Sequence, residues 1–444
     1  MTHTKLLTDF LSTLYKFIDY TNTLSLNDVH QNNNDIFIET FNHLANFANQ
    51  IPVELETIKN DLITNPNNKQ VMIKYKQILL SCSINEVIEK LKSFYIDYKN
   101  VYPQLTKDQL DLMLKIRDKF NLSDSALSLV LIFISKLCRT SFPSISFDLI
   151  MEAFKIKNDL GKFLGLNHLK NYVFSESTLS NQLSLNACPI CNGQGEPFHN
   201  SPCYNMINFN DDFLPSKLWM KCNLCENLYS KYFPHKFMSD NPSIKVIRKS
   251  TTPPPSNFTD INTHNLRNWC DILNNLTKHS SGTNILEVGI GKGALIATAL
   301  EFGYSIDCIE IDESVACEIS NMLDHDIICC DFLNFKTDKT YDIITMGDVI
   351  EHLSNPIYGL KKAHSLLNNN GVLWISTPNY ESAFNKLHKI NVAMWNEPYH
   401  LTYFSKVGLE NIVKNLGFEI LDYRISINYN GSMEMILKKS KKLA

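Results

Sequence analysis

No long hydrophobic run occurs in the sequence. The longest apolar stretch, residues 126–134, is interrupted by Ser128, and it is far shorter than the roughly 18 to 20 apolar residues that a membrane-spanning helix needs. The first residues of the chain lead into an amphipathic pattern and not into the apolar core of a signal peptide. We therefore expect a soluble, cytoplasmic protein with no membrane partner.

An excess of charge of one sign is also lacking. The chain has 46 acidic and 42 basic side chains and a formal net charge of -4, which argues against a strongly basic nucleic-acid coat and against a polybasic membrane anchor. A local basic patch, and with it a nucleic-acid partner, stays open. The hydrophobic fraction of 44% is too high for a mostly disordered chain. At roughly 150 residues per domain, the length suggests about three domains.

The cysteines are not spread as a disulfide framework. Four of the 12 form two Cys-x-x-Cys pairs, Cys188 with Cys191 and Cys222 with Cys225, separated by 30 residues. Without an export signal, metal binding or burial is expected in place of disulfides. Two such turns complete a tetrahedral Zn²⁺ site, and four thiolates leave no open position, so the predicted role is structural.

This zinc-binding module is predicted over residues 186–240, a region too small to be stable from its own core. His199, Cys203 and His235 lie nearby in the sequence and are possible substitutes for one of the four cysteines. A redox pair or buried thiols are the alternative to a metal site.

Residues 1–175 show apolar side chains at helical spacing and no catalytic constellation. They are predicted to form a helical domain that serves a protein partner or self-association. A run with three prolines, residues 253–255, favours an extended linker. We place a domain boundary there and start a third domain at residue 262.

Strand and helix patterns alternate over residues 262–444, which predicts a mostly parallel sheet covered by helices on both faces. In that architecture ligands bind at the carboxyl ends of the strands. Strands are predicted at 284–288, 305–311, 326–330, 341–346, 372–376, 418–425 and 433–437, and helices at 294–300, 315–322, 357–367 and 409–416.

The sharpest signal is a glycine-rich turn after the first of these strands. The strand ends in Glu287, and Gly289, Gly291 and Gly293 follow at alternate positions before a helix. Glycine permits a tight turn and lets a ligand approach the backbone. The spacing differs from the dinucleotide pattern Gly-x-Gly-x-x-Gly because Ala294 stands at the last position, although a dinucleotide site is not formally excluded.

Acidic residues follow the next three strands in chain order. Glu310 or Asp312, at the end of the second strand, can accept hydrogen bonds from both hydroxyls of a ribose. Asp331 after the third strand can accept from an adenine amine, and Phe332 can offer apolar surface to the ring. The fourth strand ends at Asp348.

With these motifs, residues 264–438 resemble a class I S-adenosylmethionine-dependent methyltransferase. The resemblance is carried by Glu287–Gly293, Glu310, Asp331–Phe332, Asp342–Leu353 and Asn370–Asn379. It implies a Rossmann-like, seven-stranded sheet whose last strand is antiparallel, with the cofactor lying over the glycine loop.

The resemblance also implies roles for single residues. Glu310 would hold the ribose, with Asp312 as the rival, and the other cofactor-binding residues fall into three groups. These are Gly289, Gly291 and Gly293 at the methionine side, Asp331 and Phe332 at the adenine, and Gly347 and Asp348 beside the sulfonium; Glu287 is a further cofactor-binding residue.

His400 is the candidate general base, because the insertion after the fifth strand reaches the open face of the cofactor in similar enzymes. A structural role for His400 is the alternative. Glu351 and His352 are expected to begin a helix and to be structural. The segment Asn396–Tyr399 is similar to the motif of base N-methylating enzymes, but its position and its second residue do not fit.

The two Cys-x-x-Cys pairs before such a domain, together with His400, are similar to sugar C-methyltransferases, although about 175 helical residues precede the pairs here. We therefore expect methyl transfer to a small-molecule acceptor, and more specifically to a sugar or nucleotide-linked sugar. The alternatives are a methyltransferase acting on protein or RNA through the zinc and helical modules, and a non-catalytic adaptor that only binds S-adenosylmethionine.

Overall fold

The computed structural model describes residues 138–163, 166–169, 171–237, 245–247, 264–388, 392–427 and 429–440, together with residues 124, 128, 131, 132 and 135. Most of the helical domain expected over residues 1–175, and the proline linker at 253–255, lie outside the described residues. The chain divides into two compact units. One comprises residues 1–182 and 197–219, and the other comprises residues 183–196 and 220–444.

The elements of the described chain are as follows. The helices are α1 (Pro143–Ile156), α2 (Leu160–Phe163), α3 (Glu176–Ser180), α4 (His264–Leu276), α5 (Ala294–Glu301), α6 (Glu313–Leu323), α7 (Pro356–Leu366), α8 (Ala383–His388) and α9 (Lys406–Asn415). The strands are β1 (Gln182–Ser184), β2 (Gly195–Pro202), β3 (Ser216–Cys222), β4 (Leu228–Ser230), β5 (Tyr232–Pro234), β6 (Lys245–Ile247), β7 (Asn284–Val288), β8 (Ser305–Glu310), β9 (Ile327–Cys329), β10 (Tyr341–Gly347), β11 (Leu367–Pro378), β12 (Thr402–Tyr403), β13 (Phe418–Ile425) and β14 (Ser432–Lys439).

In the first unit, α1 has one strongly apolar face. Pro143 stands in its first turn, where the fixed backbone angle of proline favours helix initiation. Phe147, Ile150 and Phe154 recur at helical spacing and are buried. The ring of Phe154 packs against Tyr172, at a centroid distance of 6.1 Å.

The second unit contains a mixed sheet in the order β13-β14-β11-β10-β7-β8-β9-β6. Strands β7 to β11 are parallel to one another, while β14 is antiparallel to both of its neighbours. The predicted α/β architecture and its antiparallel last strand are thus confirmed for this part of the chain. The sheet has one strand more than the seven expected, because β6 pairs antiparallel with β9.

The core lies on both faces of this sheet. Ile285 and Leu286, neighbours on β7, are fully buried on opposite faces. Helices α7 and α9 cover the face of Leu286, and α4, α5 and α6 cover the face of Ile285. Because both faces are covered, neighbouring apolar residues occur in the central strands, as at Ile343 and Ile344 of β10.

The chain after β10 differs from the expectation in one respect that matters for function. Helix α7 begins at Pro356, where the Asn355 side chain caps it by accepting a hydrogen bond from the Tyr358 amide at 2.9 Å. Glu351 and His352 lie in a turn before this helix. The prediction that they begin a helix is wrong, because Asn355 followed by Pro356 is the stronger helix start.

Among the helices that the structure describes, none combines the length and the apolar character required to cross a membrane.

Candidate functional site

The glycine loop after β7 uses the left-handed backbone region at three positions. The φ angles of Gly289, Gly291 and Gly293 are 73°, 49° and 74°. A Cβ at Gly289 would lie 2.7 Å from Val349 Cγ2, and one at Gly293 would lie 2.8 Å from Ile319 Cγ2. At Gly291, by contrast, no described atom lies within 4 Å of that position. Packing therefore requires two of the glycines, and the third leaves open space beside the backbone.

Two buried carboxyl groups lie at the ends of the adjacent strands β7 and β8. Glu310 is 9% exposed and Glu287 is 5% exposed. Glu310 accepts hydrogen bonds from the amides of Ile290, at 3.2 Å, and Asp312, at 2.9 Å. Oε2 of Glu287 has no hydrogen-bond partner in the described part of the chain. A buried acceptor of this kind is costly unless a ligand donates to it.

Burial raises the pKa of both carboxyl groups above the usual glutamate range. For Glu287 the nearby charge of Glu310 raises the pKa further. A ligand that brings a positive charge or hydrogen-bond donors to this edge of the sheet would stabilise both groups in their ionised form.

Asp312, the rival of Glu310, has a structural task. Its Oδ1 accepts hydrogen bonds from the amides of Ser314, at 2.8 Å, and Val315, at 3.2 Å, and thereby caps α6. Hydrogen bonding from the Ser314 side chain lowers the pKa of Asp312, and these amide bonds add to the effect. The carboxylate of Asp312 is therefore used to cap α6.

Asp331 and Phe332 follow β9 at the start of a short 3-10 helix. Asp331 Oδ1 accepts a hydrogen bond from the Leu333 amide at 2.8 Å. Phe332 is only 3% exposed and belongs to the hydrophobic core. Little of its ring is left for contact with a ligand, so at this strand end the polar group that a ligand can reach is the half-buried carboxylate of Asp331.

Gly347 and Asp348 lie at the tip of β10. A Cβ at Gly347 would lie 3.2 Å from the Trp374 ring. Asp348 has a φ of 53°, and its Oδ1 accepts a hydrogen bond from Ser376 Oγ at 3.2 Å. Burial, with a further contribution from the charge of Glu434, raises the pKa of Asp348 to about 6.

A cluster that the sequence did not reveal lies directly after this strand. One potential metal-ligating atom from each of Glu351, His352 and His400 lies within 4.8 Å of the others. The rings of the two histidines pack edge to face, with their centroids 4.5 Å apart. The Glu351 carbonyl oxygen accepts hydrogen bonds from the amides of Leu401 and Thr402, at 2.8 and 3.1 Å. These bonds hold the segment that carries His400 against the tip of β10.

His400 is fixed by its Nδ1. This atom lies 2.7 Å from the hydroxyl oxygen of Tyr403, and the Tyr403 hydroxyl donates its proton to the Met394 carbonyl. A tyrosine hydroxyl has only one proton to donate, so Nδ1 of His400 is the donor in the first contact. In the neutral imidazole the lone pair is then on Nε2.

The four cysteines of the two pairs meet in one cluster. The sulfur atoms of Cys188 and Cys225 are 3.7 Å apart, and those of Cys191 and Cys222 are 3.4 Å apart. All four lie within 4.8 Å of one another, which is a set of thiols that could hold a metal ion. Among the described residues, His199, Cys203 and His235 do not belong to this group.

The two Cys-x-x-Cys turns have the same backbone form. In each turn the amide of the residue after the second cysteine, Asn192 or Glu226, donates to the carbonyl of the first cysteine. Both residues have left-handed φ angles, 59° and 60°. A Cβ at Gly193 would lie 2.8 Å from Cys222 Sγ, so glycine is required where the turns approach each other.

The second cysteine turn is bonded to the segment that follows His400. It leads into β4, which pairs antiparallel with β12. The side-chain oxygen of Asn227 also accepts a hydrogen bond from the Ser405 amide at 3.1 Å, and Ser405 caps α9. The cysteine cluster and the Glu351 cluster are therefore linked by consecutive hydrogen-bonded residues.

Comparison with known proteins bears on residues 261–423, which match the family model of a methyltransferase domain. No curated protein matches the chain. The match supports methyl transfer by this part of the chain.

Solved structures similar to this chain include three methyltransferases. An S-adenosylmethionine-dependent methyltransferase from Clostridium acetobutylicum ATCC 824 is 12% identical, with a TM-score of 0.34, over 40% of this chain and 92% of that one. A SAM dependent methyltransferase from Archaeoglobus fulgidus is 15% identical, with a TM-score of 0.33, over 39% of this chain and 93% of that one. The magnesium protoporphyrin IX methyltransferase of Synechocystis PCC 6803, solved with bound SAH, is 17% identical, with a TM-score of 0.31, over 43% of this chain and 90% of that one.

Proposed function

We propose that residues 262–444 transfer a methyl group from S-adenosylmethionine to a small-molecule acceptor. The observation that carries this proposal is the open backbone at Gly291 beside the buried carboxyl groups of Glu287 and Glu310, in a segment that matches a methyltransferase domain. The resemblance of the cysteine pairs and His400 to sugar C-methyltransferases supports a sugar or nucleotide-linked sugar as the acceptor. The balanced charge, and cysteines that are not spaced as a disulfide framework, support a cytoplasmic location.

The residues present fit this cofactor. Glu287 Oε2 lacks a hydrogen-bond donor among the described residues, and the ammonium group of the methionine moiety is a donor with a positive charge. Glu310 and Asp331 are carboxylates suited to the ribose hydroxyls and the adenine amine. Gly347 and Asp348 would lie beside the sulfonium.

When bound, S-adenosylmethionine supplies an already activated methyl group. The chain then has to align the acceptor atom and exclude water. The glycine loop and the strand ends would hold the cofactor in a fixed position for that alignment. His400 remains the candidate general base, because the lone pair on its Nε2 is what a proton acceptor needs. A metal ion would use the same lone pair, so His400 acts as the base only where no metal ion is bound to its Nε2.

We also propose that the four cysteines bind one Zn²⁺. The paired distances, the matched turns and the absence of a fifth ligand group among the described residues of the cluster support a closed, structural site. Zinc in this position would fix the hairpin that carries β4 and would have no catalytic role.

The acceptor class is tested by incubating the purified full-length protein with S-adenosylmethionine labelled on the methyl group and a fractionated cell extract. We expect the label in the small-molecule fraction. Label in protein or RNA would replace this proposal with the macromolecular methyltransferase. Cofactor binding in calorimetry without any transfer would favour the adaptor, and absence of binding would overturn the proposal altogether.

The open space at Gly291 gives a second, matched test. Gly291→Ala is expected to weaken cofactor binding by about 5- to 150-fold, since intrusion of a methyl group into a close contact costs about 1–3 kcal/mol. Gly303→Ala is the control, because Gly303 also has a positive φ, 79°, with no described atom within 4 Å of a Cβ. Both variants should lose about 1 kcal/mol of stability from backbone strain. Equal cofactor affinities in calorimetry would argue against a ligand at Gly291.

A further inference from the structure

We propose that Glu351, His352 and His400 bind a divalent transition-metal ion at the acceptor side of the cleft. This site is separate from the cysteine cluster and differs from it in ligand chemistry. Its place in the fold is the turn after β10, two residues beyond Val349, whose side chain packs against Gly289 of the glycine loop. The site therefore borders the segment assigned above to the cofactor.

Both histidines use Nδ1 as a hydrogen-bond donor, so each would bind a metal ion through Nε2. Nδ1 of His352 lies 3.2 Å from the Tyr399 carbonyl oxygen. A carbonyl can only accept, so Nδ1 carries the proton and Nε2 the lone pair. Nδ1 of His400 donates to Tyr403 for the reason given above. Hydrogen bonds from the second ring nitrogen to a fixed oxygen are the usual way in which proteins orient metal-binding imidazoles.

The carboxyl group of Glu351 is the third ligand. The residue is fully buried. Its Oε2 accepts a hydrogen bond from Thr377 Oγ1 at 3.0 Å, whereas its Oε1 has no partner among the described residues. A buried carboxylate with one oxygen satisfied and the other unpaired is unfavourable, and a cation bound to Oε1 would remove that cost.

Two imidazoles and one carboxylate suit Mn²⁺, Fe²⁺, Co²⁺ or Zn²⁺, and they leave coordination positions open. His352 is exposed and His400 is half-buried, so the site can be reached from solvent. Together with the proposed function, on which this step rests, the open positions indicate an acceptor that presents a hydroxyl group. A cation held there would lower the pKa of a bound acceptor hydroxyl, and the proton of that hydroxyl would pass to solvent. The oxygen–methyl bond then forms as the sulfur–methyl bond breaks, with that bond's electron pair remaining on sulfur.

The site is tested with Mn²⁺ alone, without cofactor or acceptor. Full-length protein is first given one equivalent of Zn²⁺, which the four soft thiolates bind in preference to the imidazole and carboxylate ligands, and is desalted. Mn²⁺ binding is then followed by loss of the free-ion signal in electron paramagnetic resonance. We expect one Mn²⁺ per chain. Glu351→Gln and His352→Ala should each weaken binding at least about tenfold, the lower limit observed even for residues that only orient ligands.

Matched controls separate the site from general surface binding. His279→Ala and Glu301→Gln remove the same side-chain types. His279 and Glu301 lie just before β7 and β8, at the amino ends of these strands, whereas the Glu351 cluster lies after the carboxyl end of β10. Both control variants should leave Mn²⁺ affinity unchanged. If Glu351→Gln fails to fold, His352→Ala decides, because His352 is exposed. Absence of Mn²⁺ binding by the wild type, or equal binding by the two ligand variants, would overturn the proposal. Calorimetry with S-adenosylmethionine reports separately on the proposed function.

Discussion

Replacement of Glu310 by alanine is expected to weaken binding of S-adenosylmethionine by about 100-fold. A carboxylate oxygen can accept more than one hydrogen bond, so Glu310 can keep its bonds from the Ile290 and Asp312 amides while it accepts from the ribose hydroxyls. Hydrogen bonds to a charged group contribute about 1.5–3 kcal/mol each, and about 2.7 kcal/mol corresponds to a factor of 100. Isothermal calorimetry on the full-length protein measures the change.

Asp312→Ala is the matched control. Asp312 caps α6, so its loss should cost about 1 kcal/mol of stability and leave cofactor affinity nearly unchanged. Glu310→Gln keeps one carbonyl oxygen for the backbone amides and should bind with intermediate affinity. If Asp312→Ala lost affinity and Glu310→Ala did not, the ribose role would move to Asp312.

The parts of the fold that could be predicted are those in which the local pattern and the tertiary environment agree. The bounds of β7 and β13, Asn284–Val288 and Phe418–Ile425, are confirmed as predicted. In β7 the apolar run is both a good strand sequence and a strand buried on two faces, and glycine ends it. Helix α9 begins three residues earlier than predicted because Ser405 caps it, a signal that the apolar spacing alone does not include.

Elements formed by distant pairing could not be predicted. Strand β12 is two residues long and exists because it pairs with β4, and β6 is three residues long and exists because it pairs with β9. Neither has a length or an alternation that distinguishes it from a loop. The extension of β11 back to Leu367 likewise reflects pairing with Tyr341 of β10.

The cysteine cluster and the Glu351 cluster differ in the same way in how far the sequence could predict them. The cysteine spacing predicted that four thiols meet, because each pair is fixed by a local turn. The Glu351 cluster needs His400, 48 positions after His352 in the sequence, to return to the tip of β10. The resemblance assigned Glu351 and His352 to a helix start, and no local pattern could indicate the hydrogen bonds from Leu401 and Thr402 that bring His400 to them.

Replacement of Cys222 by serine is expected to abolish zinc binding and to lower the unfolding temperature by roughly 10 °C. Structural Zn²⁺ contributes about 10–16 kcal/mol of apparent binding free energy in small zinc domains. Even a loss of about 3–4 kcal/mol would shift the midpoint by this amount at about 2–4 °C per kcal/mol. Metal analysis of the purified protein and calorimetric unfolding measure both effects, and Cys188→Ser should behave in the same way.

The control is Cys317→Ser, which changes a partly exposed thiol on α6 outside the cluster and should keep both zinc and stability. Cys222→Ser should also destabilise the segment after His400, because β4 pairs with β12 and the Asn227 side chain accepts a hydrogen bond from the Ser405 amide. Amide hydrogen exchange of residues 401–405 should therefore accelerate in Cys222→Ser and not in Cys317→Ser. Freshly purified, folded protein without zinc would contradict the structural role. Zinc loss without faster exchange at these residues would show that the cysteine turn does not support the acceptor side.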